Sequence, residues 1–348
     1  MKVKLRDFVE LVKTRVDIKD ADVANYISTD NMLPNRGGVE FGNSKLPATK
    51  TVNNFIKGDI LISNIRPYFK KIWFADRSGT RSSDVLCFRA TNEKLSKEYL
   101  YCVLQSDSFF NYVMSTSKGT KMPRGDKEAI LDYEFELVSK KEQYDKYHSI
   151  LLLERKIYLN NRINDNLLEL ANSMFKKYFN HTGTTRLSTY FLPKRGKNLL
   201  KRNVIPGDVP VVAGGLKPAT YHNDSNTKSP VITISASGAN AGFVQIWGKE
   251  VWSSDSSYID SSITPNIYFW YLFLKNKQDV IFDSQSGSAQ PHIYPKHIGN
   301  LIVPNIDSTK IQQFNSLVSP LFKKYFNNQE INNNLEKIKK SLLSKYFD

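Results

Sequence analysis

The sequence predicts a mixed α/β protein: two similar domains joined by two long helices that form an antiparallel coiled coil with an internal pseudo-twofold. Three observations lead to this fold class. The 348-residue chain repeats a set of positions at a constant interval, each repeat opens with short β-type runs, and each closes with a long segment of helical periodicity. A hydrophobic content of 40% over this length is enough for two separate cores.

The internal repeat has an interval of 168 residues. The positions that return unchanged include a glycine, a proline and an isoleucine, at Gly119 and Gly287, Pro123 and Pro291, and Ile130 and Ile298. Two equivalent units in one chain suit a ligand that itself offers two sites at a fixed separation. DNA with two half-sites is the commonest ligand of this kind.

Each domain is predicted as a mixed α/β unit because short β-type runs alternate with turn residues before a helical stretch. In the first domain, residues 1–140, strands are predicted at 59–63, 71–75 and 84–88, and one helix at 97–114. In the second domain, residues 181–306, strands are predicted at 230–235 and 242–247, and the counterpart helix at 266–274.

The two long helices are predicted at 141–180 and 307–348. Residues spaced alternately by three and four form the predicted seam of a coiled coil. They are Leu153, Ile157, Asn160, Asn164, Leu167, Met174 and Tyr178 in the first segment, and Leu321, Tyr325, Asn328, Asn332, Leu335 and Leu342 in the second. Pro320 should lie in a first turn or mark a break. The alternative is that the asparagines lie on solvated faces of slightly rotated helices.

The short connections favour antiparallel helices. A helix of about 39 residues is roughly 60 Å long, so parallel helices would force the second domain to span that whole length. Antiparallel helices bring the attachment points of each domain together. The chain is therefore predicted to carry one domain at each end of a helical spacer.

The composition favours a polyanionic partner in a reducing compartment. Lys and Arg number 49 against 34 Asp and Glu, for a net charge of +15, although many solvated surfaces are equally basic. Two cysteines, Cys87 and Cys102, provide neither a disulfide framework nor a four-cysteine zinc site. The first eleven residues include five charged side chains and no long apolar run follows, so we expect a cytoplasmic protein without a membrane span.

No catalytic motif is found, and we expect neither catalytic residues nor a metal site. The segment 238–242, Gly-Ala-Asn-Ala-Gly, has the wrong spacing for a methyl-donor loop, and no phosphate-binding loop is present. His292 and His297 lack a nearby third ligand. We interpret the chain as a binding protein rather than an enzyme.

The strongest candidates for DNA contact are two equivalent glycine-containing loops. Their side chains are of types that bond to base edges, namely Lys118, Thr120, Lys121 and Arg124 in the first loop, and Gln285, Ser286, Ser288, Gln290 and His292 in the second. The same scaffold with different side chains suits two half-sites of unlike sequence. Ordinary solvent-exposed turns remain the alternative.

Other basic and polar residues are predicted to hold phosphates or to make secondary contacts. The basic set is Arg66, Lys70, Lys71, Lys194, Arg195 and Lys197. The polar and turn-associated set is Asn64, Lys217, Tyr221, His222, Ser237 and Asn240. A solvated basic loop is the alternative for residues 181–207, which contain no acidic side chain.

The order of parts resembles the specificity subunit of type I restriction-modification enzymes over essentially the whole chain. The motifs that carry the resemblance are residues 57–63 (Lys-Gly-Asp-Ile-Leu-Ile-Ser), 82–85 (Ser-Ser-Asp-Val), 119–123, 211–215, 232–235, 252–255 (Trp-Ser-Ser-Asp) and 287–298. Each motif alone is weak, and their order and repetition make the match.

The resemblance implies a non-catalytic subunit with two target-recognition domains, each reading one part of a bipartite asymmetric DNA site, with helices that set the gap. It also implies two adenine methyltransferase subunits and two ATP-driven restriction/translocase subunits as partners. S-adenosylmethionine, ATP and magnesium would belong to those subunits. Two alternatives remain: the targeting subunit of a type II-like methyltransferase-nuclease, and a structural adaptor that binds proteins rather than DNA.

Overall fold

The computed structural model describes residues 1–42, 44–179, 183–287 and 290–348. These residues form two compact units, one of Met1–Ile157 with Asn334–Asp348 and one of Tyr158–Asn333. Each long helix contributes to both units. The predicted mixed α/β class, with two domains joined by two long helices, is confirmed. The predicted domain limits stay a prediction, and the limit at 180/181 lies outside the described residues.

Unit 1 contains two four-stranded sheets and a small strand pair, in the orders β2-β9-β6-β7, β3-β5-β8-β4 and β1-β10. The strands are β1 (Lys2–Lys4), β2 (Val9–Leu11), β3 (Arg15–Asp17), β4 (Tyr26–Ile27), β5 (Thr51–Phe55), β6 (Ile60–Ser63), β7 (Ile72–Phe74), β8 (Gly79–Arg81), β9 (Val85–Ala90) and β10 (Glu134–Glu136). The helices are α1 (Lys97–Gln105), α2 (Asp107–Ser115), α3 (Lys127–Leu131) and the start of α4 (Lys140–Tyr178), with 3-10 turns at Leu5–Asp7, Ile18–Asp20, Val23–Asn25 and Pro67–Phe69.

Unit 2 repeats this plan with a four-stranded sheet, a three-stranded sheet and a strand pair, in the orders β12-β18-β15-β16, β14-β13-β17 and β11-β19. The strands are β11 (Thr185–Arg186), β12 (Lys194–Arg195), β13 (Val209–Val212), β14 (Thr220–His222), β15 (Val231–Ser235), β16 (Val244–Trp247), β17 (Trp252–Ser253), β18 (Ser256–Asp260) and β19 (Ile302–Val303). The helices are α5 (Ile267–Asn276), α6 (Gln278–Asp283), α7 (Pro295–Gly299) and most of α8 (Ser308–Phe347), with 3-10 turns at Leu187–Thr189 and Lys201–Asn203.

The main core of each unit lies between a sheet and its helices. In unit 1, β6 and β9 pack with α1 and α2 around Leu100, Leu104 and Phe109, all fully buried. In unit 2, β15 packs with the apolar helix α5, where Phe269 and Leu274 are fully buried. The apolar side chains of α4 and α8 join these cores, which explains why such polar helices are stable.

The predicted helix at 97–114 is wrong in one respect, because it is two helices. Ser106 ends α1, where its N–H donates to the carbonyl of Val103 at 3.1 Å, and its hydroxyl caps α2 by accepting from the N–H of Phe109 at 3.0 Å. A serine at this position satisfies both helix ends and permits the turn. The counterpart helix in unit 2 is likewise followed by a second one, α6.

The predicted break or first turn at Pro320 is also wrong, because α8 continues from Ser308 to Phe347 through this residue. Proline cannot donate to the carbonyl four residues earlier. Both Pro320 and Ser316 are exposed, so water can satisfy that carbonyl, while Val318 and Phe322 on either side are buried in the core of unit 2. The packing therefore outweighs the lost hydrogen bond.

The long helices are antiparallel within each unit. In unit 2, Asn160 donates to Asn332 at 2.7 Å and Asn328 donates to Asn164 at 2.9 Å, so the paired numbers run in opposite directions. In unit 1, Ile150 of α4 and Leu343 of α8 are buried in one cluster.

The seam differs in detail from the predicted one. The predicted positions Leu153, Ile157, Leu167, Met174, Leu321, Tyr325, Leu335 and Leu342 are half-buried, and the four asparagines are buried. Tyr178, a predicted seam residue, is 56% exposed, whereas Phe175 and Phe179 are buried. The face of α4 turns toward these phenylalanines because they pack on α5 and on Phe314.

Candidate nucleic-acid interface

The first glycine loop is a closed hairpin. Lys118 and Arg124 exchange both backbone hydrogen bonds at 2.9 Å. Gly119 has a φ of +91°, a backbone conformation that side chains with a Cβ rarely adopt. Between these ends the chain turns outward, so Lys118, Thr120, Lys121 and Arg124 are exposed.

The second glycine loop has the same closure 168 residues later. Ser286 and His292 exchange backbone hydrogen bonds at 3.0 and 2.9 Å, and Gly287 has a φ of +96°. Ser286 and Gln290 are exposed, whereas Gln285 and His292 are half-buried. Gln285 donates to the carbonyl of Ala241 at 2.8 Å, so it also supports the loop from below. The predicted contact residue Ser288 lies outside the described residues.

Both loops rest on the same kind of support, the segment that follows a central strand. In unit 1 the N–H of Arg66 donates to the carbonyl of Pro123 at 2.8 Å, and in unit 2 the N–H of Gly238 donates to the carbonyl of Pro291 at 3.1 Å. The repeated proline of the sequence thus supplies the same backbone acceptor in both units. The two loops therefore share this backbone support and differ in their side chains.

Two of the predicted contact residues are buried. Asn64 is 8% exposed beneath the first loop, where its carbonyl accepts from the N–H of Gly125 at 3.2 Å. His222 is 6% exposed, and its Nδ1 accepts from the N–H of Ile205 at 3.0 Å. The structure therefore places both side chains inside the units rather than on the surface.

The basic side chains of unit 1 are in part held internally. Lys70 lies 2.5 Å from Asp107, which Arg36 also contacts at 2.5 Å, and these two cations lower the pKa of that carboxyl to about 2. Lys71 donates to the carbonyl of Thr29 at 2.6 Å, and burial lowers its pKa. Arg66 is exposed beside the first loop.

In unit 2 the basic residues Lys194, Lys197 and Lys217 are exposed. Arg195 is bound to Asp255 at 2.7 Å. Ser237 donates to the same carboxylate and is paired through its backbone with His292 of the second loop.

Asn240 and Tyr221 lie near the segment 214–216 of unit 2. Asn240 donates to the carbonyl of Gly214 at 3.2 Å, which ties one turn to another. Tyr221 is 51% exposed and lines a cleft of about 900 Å³ together with Leu216 and Tyr325. Asn240 thus has a structural role in this turn, whereas the ring of Tyr221 is accessible to solvent.

Comparison with known proteins finds a family model that matches the first part of the chain. Residues 1–169 match the family model for the type I restriction modification DNA specificity domain. The matched residues are the first 169 of the 348 in the chain. The predicted resemblance to the type I restriction-modification specificity family is confirmed.

A solved structure shows the same fold over the full length. The chain is similar to the S subunit of a type I restriction-modification system from M. genitalium, with a TM-score of 0.65, 17% identity, and coverage of 100% of this chain and 96% of that one. It is also similar to the HsdS subunit from Thermoanaerobacter tengcongensis, with a TM-score of 0.40, 16% identity, and coverage of 100% and 96%. No curated protein matches the chain.

The sequence pattern alone does not single out two acidic residues of the site, Asp84 and Asp255. Asp84 lies 3.1 Å from Arg124 of the first loop, and Asp255 binds Arg195. The signal that could have found them is the repeated tripeptide Ser-Ser-Asp, at 82–84 and 253–255. The tripeptide contributes to the family resemblance, but the pattern by itself assigns no role to its carboxylates.

The described residues offer little for other chemistry. In that part of the chain, no group of three or more His, Cys, Asp and Glu side chains could hold a metal ion. Cys87 and Cys102 are buried free thiols, and burial raises the pKa of Cys87 to about 12, so this thiol is unreactive at neutral pH. No helix of the described ranges is long and apolar enough to cross a membrane.

Proposed function

We propose that this chain is the DNA sequence-recognition subunit of a type I restriction-modification complex, that it binds a bipartite asymmetric DNA site, and that it directs adenine methylation and restriction by partner subunits. One observation carries the proposal. Two loops with the same backbone closure, at Lys118 with Arg124 and at Ser286 with His292, carry different donors and acceptors in two similarly folded units. This is what a site with two unlike half-sites requires.

The long helices act in this proposal as the spacer that sets the gap between half-sites. The buried asparagine pairs of unit 2 support it, because a shift of one helix along the other would leave their amides without partners. Polar groups at such positions commonly fix the register of paired helices. If the register of the two helices is fixed, the length of the helical spacer is fixed as well.

The partners in this proposal are two methyltransferase subunits and two restriction/translocase subunits, in the cytoplasm. S-adenosylmethionine, ATP and magnesium are bound by those subunits, and this chain is non-catalytic. Leu159, Ile163 and Leu170 support a docking role for the helices, because they form a stripe on α4 that is 41%, 41% and 50% exposed. Apolar residues at this spacing suit a partner helix.

The test is selection from a random duplex pool by the chain together with its methyltransferase partner, followed by methylome sequencing of a host that carries both. We expect one enriched motif in two parts with a constant gap, and methylated adenines in that motif. Failure to enrich any split motif would contradict the proposal and favour the protein-adaptor alternative. Copurification of one partner with both methyltransferase and nuclease activities would instead favour the type II-like organisation.

A further inference from the structure

The repeated Ser-Ser-Asp tripeptide places a carboxylate at the base of each glycine loop. In unit 1 the carbonyl of Asp84 accepts from the N–H of Asn64 at 2.8 Å, and in unit 2 the carbonyl of Asp255 accepts from the N–H of Ala236 at 3.1 Å. Asn64 and Ala236 are the residues whose own carbonyls carry the far ends of the two loops, at Gly125 and Ile293. The two aspartates therefore occupy equivalent places.

Each of these carboxylates holds one arginine that remains accessible. Asp84 lies 3.1 Å from Nη1 of Arg124, whose side chain is 52% exposed. Asp255 accepts from Nη2 of Arg195 at 2.7 Å, and that side chain is 42% exposed. Ser237 donates to the second oxygen of Asp255 and so fixes the plane of the carboxylate.

The arginines come from different parts of the fold. Arg124 belongs to the first glycine loop, but the position 168 residues later is His292, which carries an imidazole and no guanidinium. In unit 2 the guanidinium is supplied instead by strand β12. The equivalent aspartates of the two units therefore each bind an arginine, although the two arginines come from different elements. This indicates that the aspartate–arginine pair matters for function, and not the loop sequence that supplies the arginine in unit 1.

Elementary chemistry indicates what such a pair can bind. A guanidinium has five N–H donors, and a carboxylate on one side leaves donors on the other side free in a fixed plane. Pairing also offsets the positive charge, which weakens a phosphate contact that depends on charge. It preserves a planar double donor, the group that matches O6 and N7 of guanine in the major groove.

We propose that Asp84 and Asp255 are positioning residues that orient Arg124 and Arg195, so that each unit reads one guanine of its half-site. This inference rests on the proposed function. It names guanine as a base that each unit recognises, which the two glycine loops alone do not specify. Asp84 and Asp255 themselves do not contact DNA.

The experiment uses the full chain with its methyltransferase partner and the motif selected by the unaltered protein. Each guanine of that motif is replaced singly by 7-deazaguanine, which lacks the N7 acceptor. We expect one guanine in each half-site at which this replacement weakens binding on the order of tenfold, as for loss of one bond of a bidentate pair. Arg124→Ala should abolish that penalty in the first half-site alone, and Arg195→Ala in the second alone.

The positioning role is tested by Asp84→Asn and Asp255→Asn, with Asp126→Asn as the matched control. Asp126 pairs with Lys118 of the first loop at 2.6 Å and caps a helix, a role that asparagine also fills. We expect Asp84→Asn to lower the preference for guanine over adenine at its position about tenfold and Asp126→Asn to leave it unchanged. The other half-site reports in the same molecule whether the protein is folded.

Two results overturn the inference. If a split motif is selected but Arg124→Ala weakens all sequences equally and lowers the salt dependence by about one phosphate contact, Arg124 holds phosphate. If Asp84→Asn keeps the guanine preference while Arg124→Ala loses it, the aspartate has no positioning role. In both cases the proposed function stands, whereas absence of any split motif removes the two proposals together.

Discussion

The buried amides between the long helices of unit 2 allow a stability prediction. Asn164→Ala removes the oxygen that accepts from Asn328 at 2.9 Å and the amide that donates to the carbonyl of Tyr325 at 3.3 Å. Asn328 is 1% exposed, so water cannot replace its lost partner. A buried donor left unsatisfied costs about 1–3 kcal/mol, and we expect the free energy of unfolding of unit 2 to fall by about that amount.

The assay is thermal unfolding of the whole chain by circular dichroism. For a cooperative unit of this size, each 1 kcal/mol shifts the melting temperature by about 2–4 °C, so the transition of unit 2 should move down by roughly 2–12 °C. Asn166→Ala is the control, because Asn166 is exposed on the same helix. Equal shifts for the two variants would refute the reasoning.

The double variant Asn164→Leu with Asn328→Leu separates stability from register. Replacing both partners by apolar side chains leaves no unsatisfied donor, so most of the lost stability should return. Positions 164 and 328 would then no longer contribute to fixing the register of the two long helices. A double variant as unstable as Asn164→Ala would show that packing, not hydrogen bonding, dominates at this position.

Three further predictions concern binding, spacing and pH. Lys121→Ala or Arg124→Ala should weaken binding at one half-site by about 1–3 kcal/mol in gel-shift titrations and leave the other half unchanged, and equal loss at both halves would contradict it. Four residues inserted near Asn161 should lengthen the DNA spacer tolerated in pool selection, and an unchanged spacer would exclude the ruler role. The carboxyl of Asp107 has a pKa of about 2 against the ordinary 3.8 because of its two cationic partners, so its contribution to stability is present above pH 3.8 and is lost as the pH falls toward 2. Melting temperatures of the unaltered chain and Asp107→Asn should therefore converge over that interval, and a constant difference would refute this assignment.

The sequence was sufficient for features that depend on local pattern and repetition. The two glycine loops could be predicted because the same residue types recur at one interval, and a glycine followed by a fixed proline specifies backbone conformation almost alone. The long helices followed from periodicity. The break at Ser106 could not be separated from helix interior, because serine is acceptable in both places until a second helix needs its hydroxyl.

Side-chain partners were beyond reach of the sequence, because they depend on contacts between distant segments. In the sequence, Arg124 and Lys121 are two similar cations in one basic loop. In the structure, Arg124 forms an ion pair with Asp84, which lies forty residues earlier in the chain. Tyr178 was predicted as a seam residue by its spacing, but it is exposed, because the aromatic side chains of α5 and α8 pack on Phe175 and Phe179 instead. Tertiary packing decided both cases.

The polar pairs along the long helices explain how a seam of modest apolar content can have one register. In unit 1, Glu154 lies 3.6 Å from Lys339, which is 5% exposed; burial raises the pKa of Glu154, and the lysine opposes that rise. In unit 2 the pairs are amides, Asn160 with Asn332 and Asn164 with Asn328.

A slip of one helical turn would leave each of these groups buried without its partner. The cost is about 1–3 kcal/mol for an amide and about 3–5 kcal/mol for a broken buried ion pair. Half-buried leucines such as Leu167 and Leu335 would tolerate the same slip with little loss, because one apolar neighbour can replace another. The polar pairs therefore fix the length over which the helices associate, which is the property that a spacer between two DNA half-sites needs.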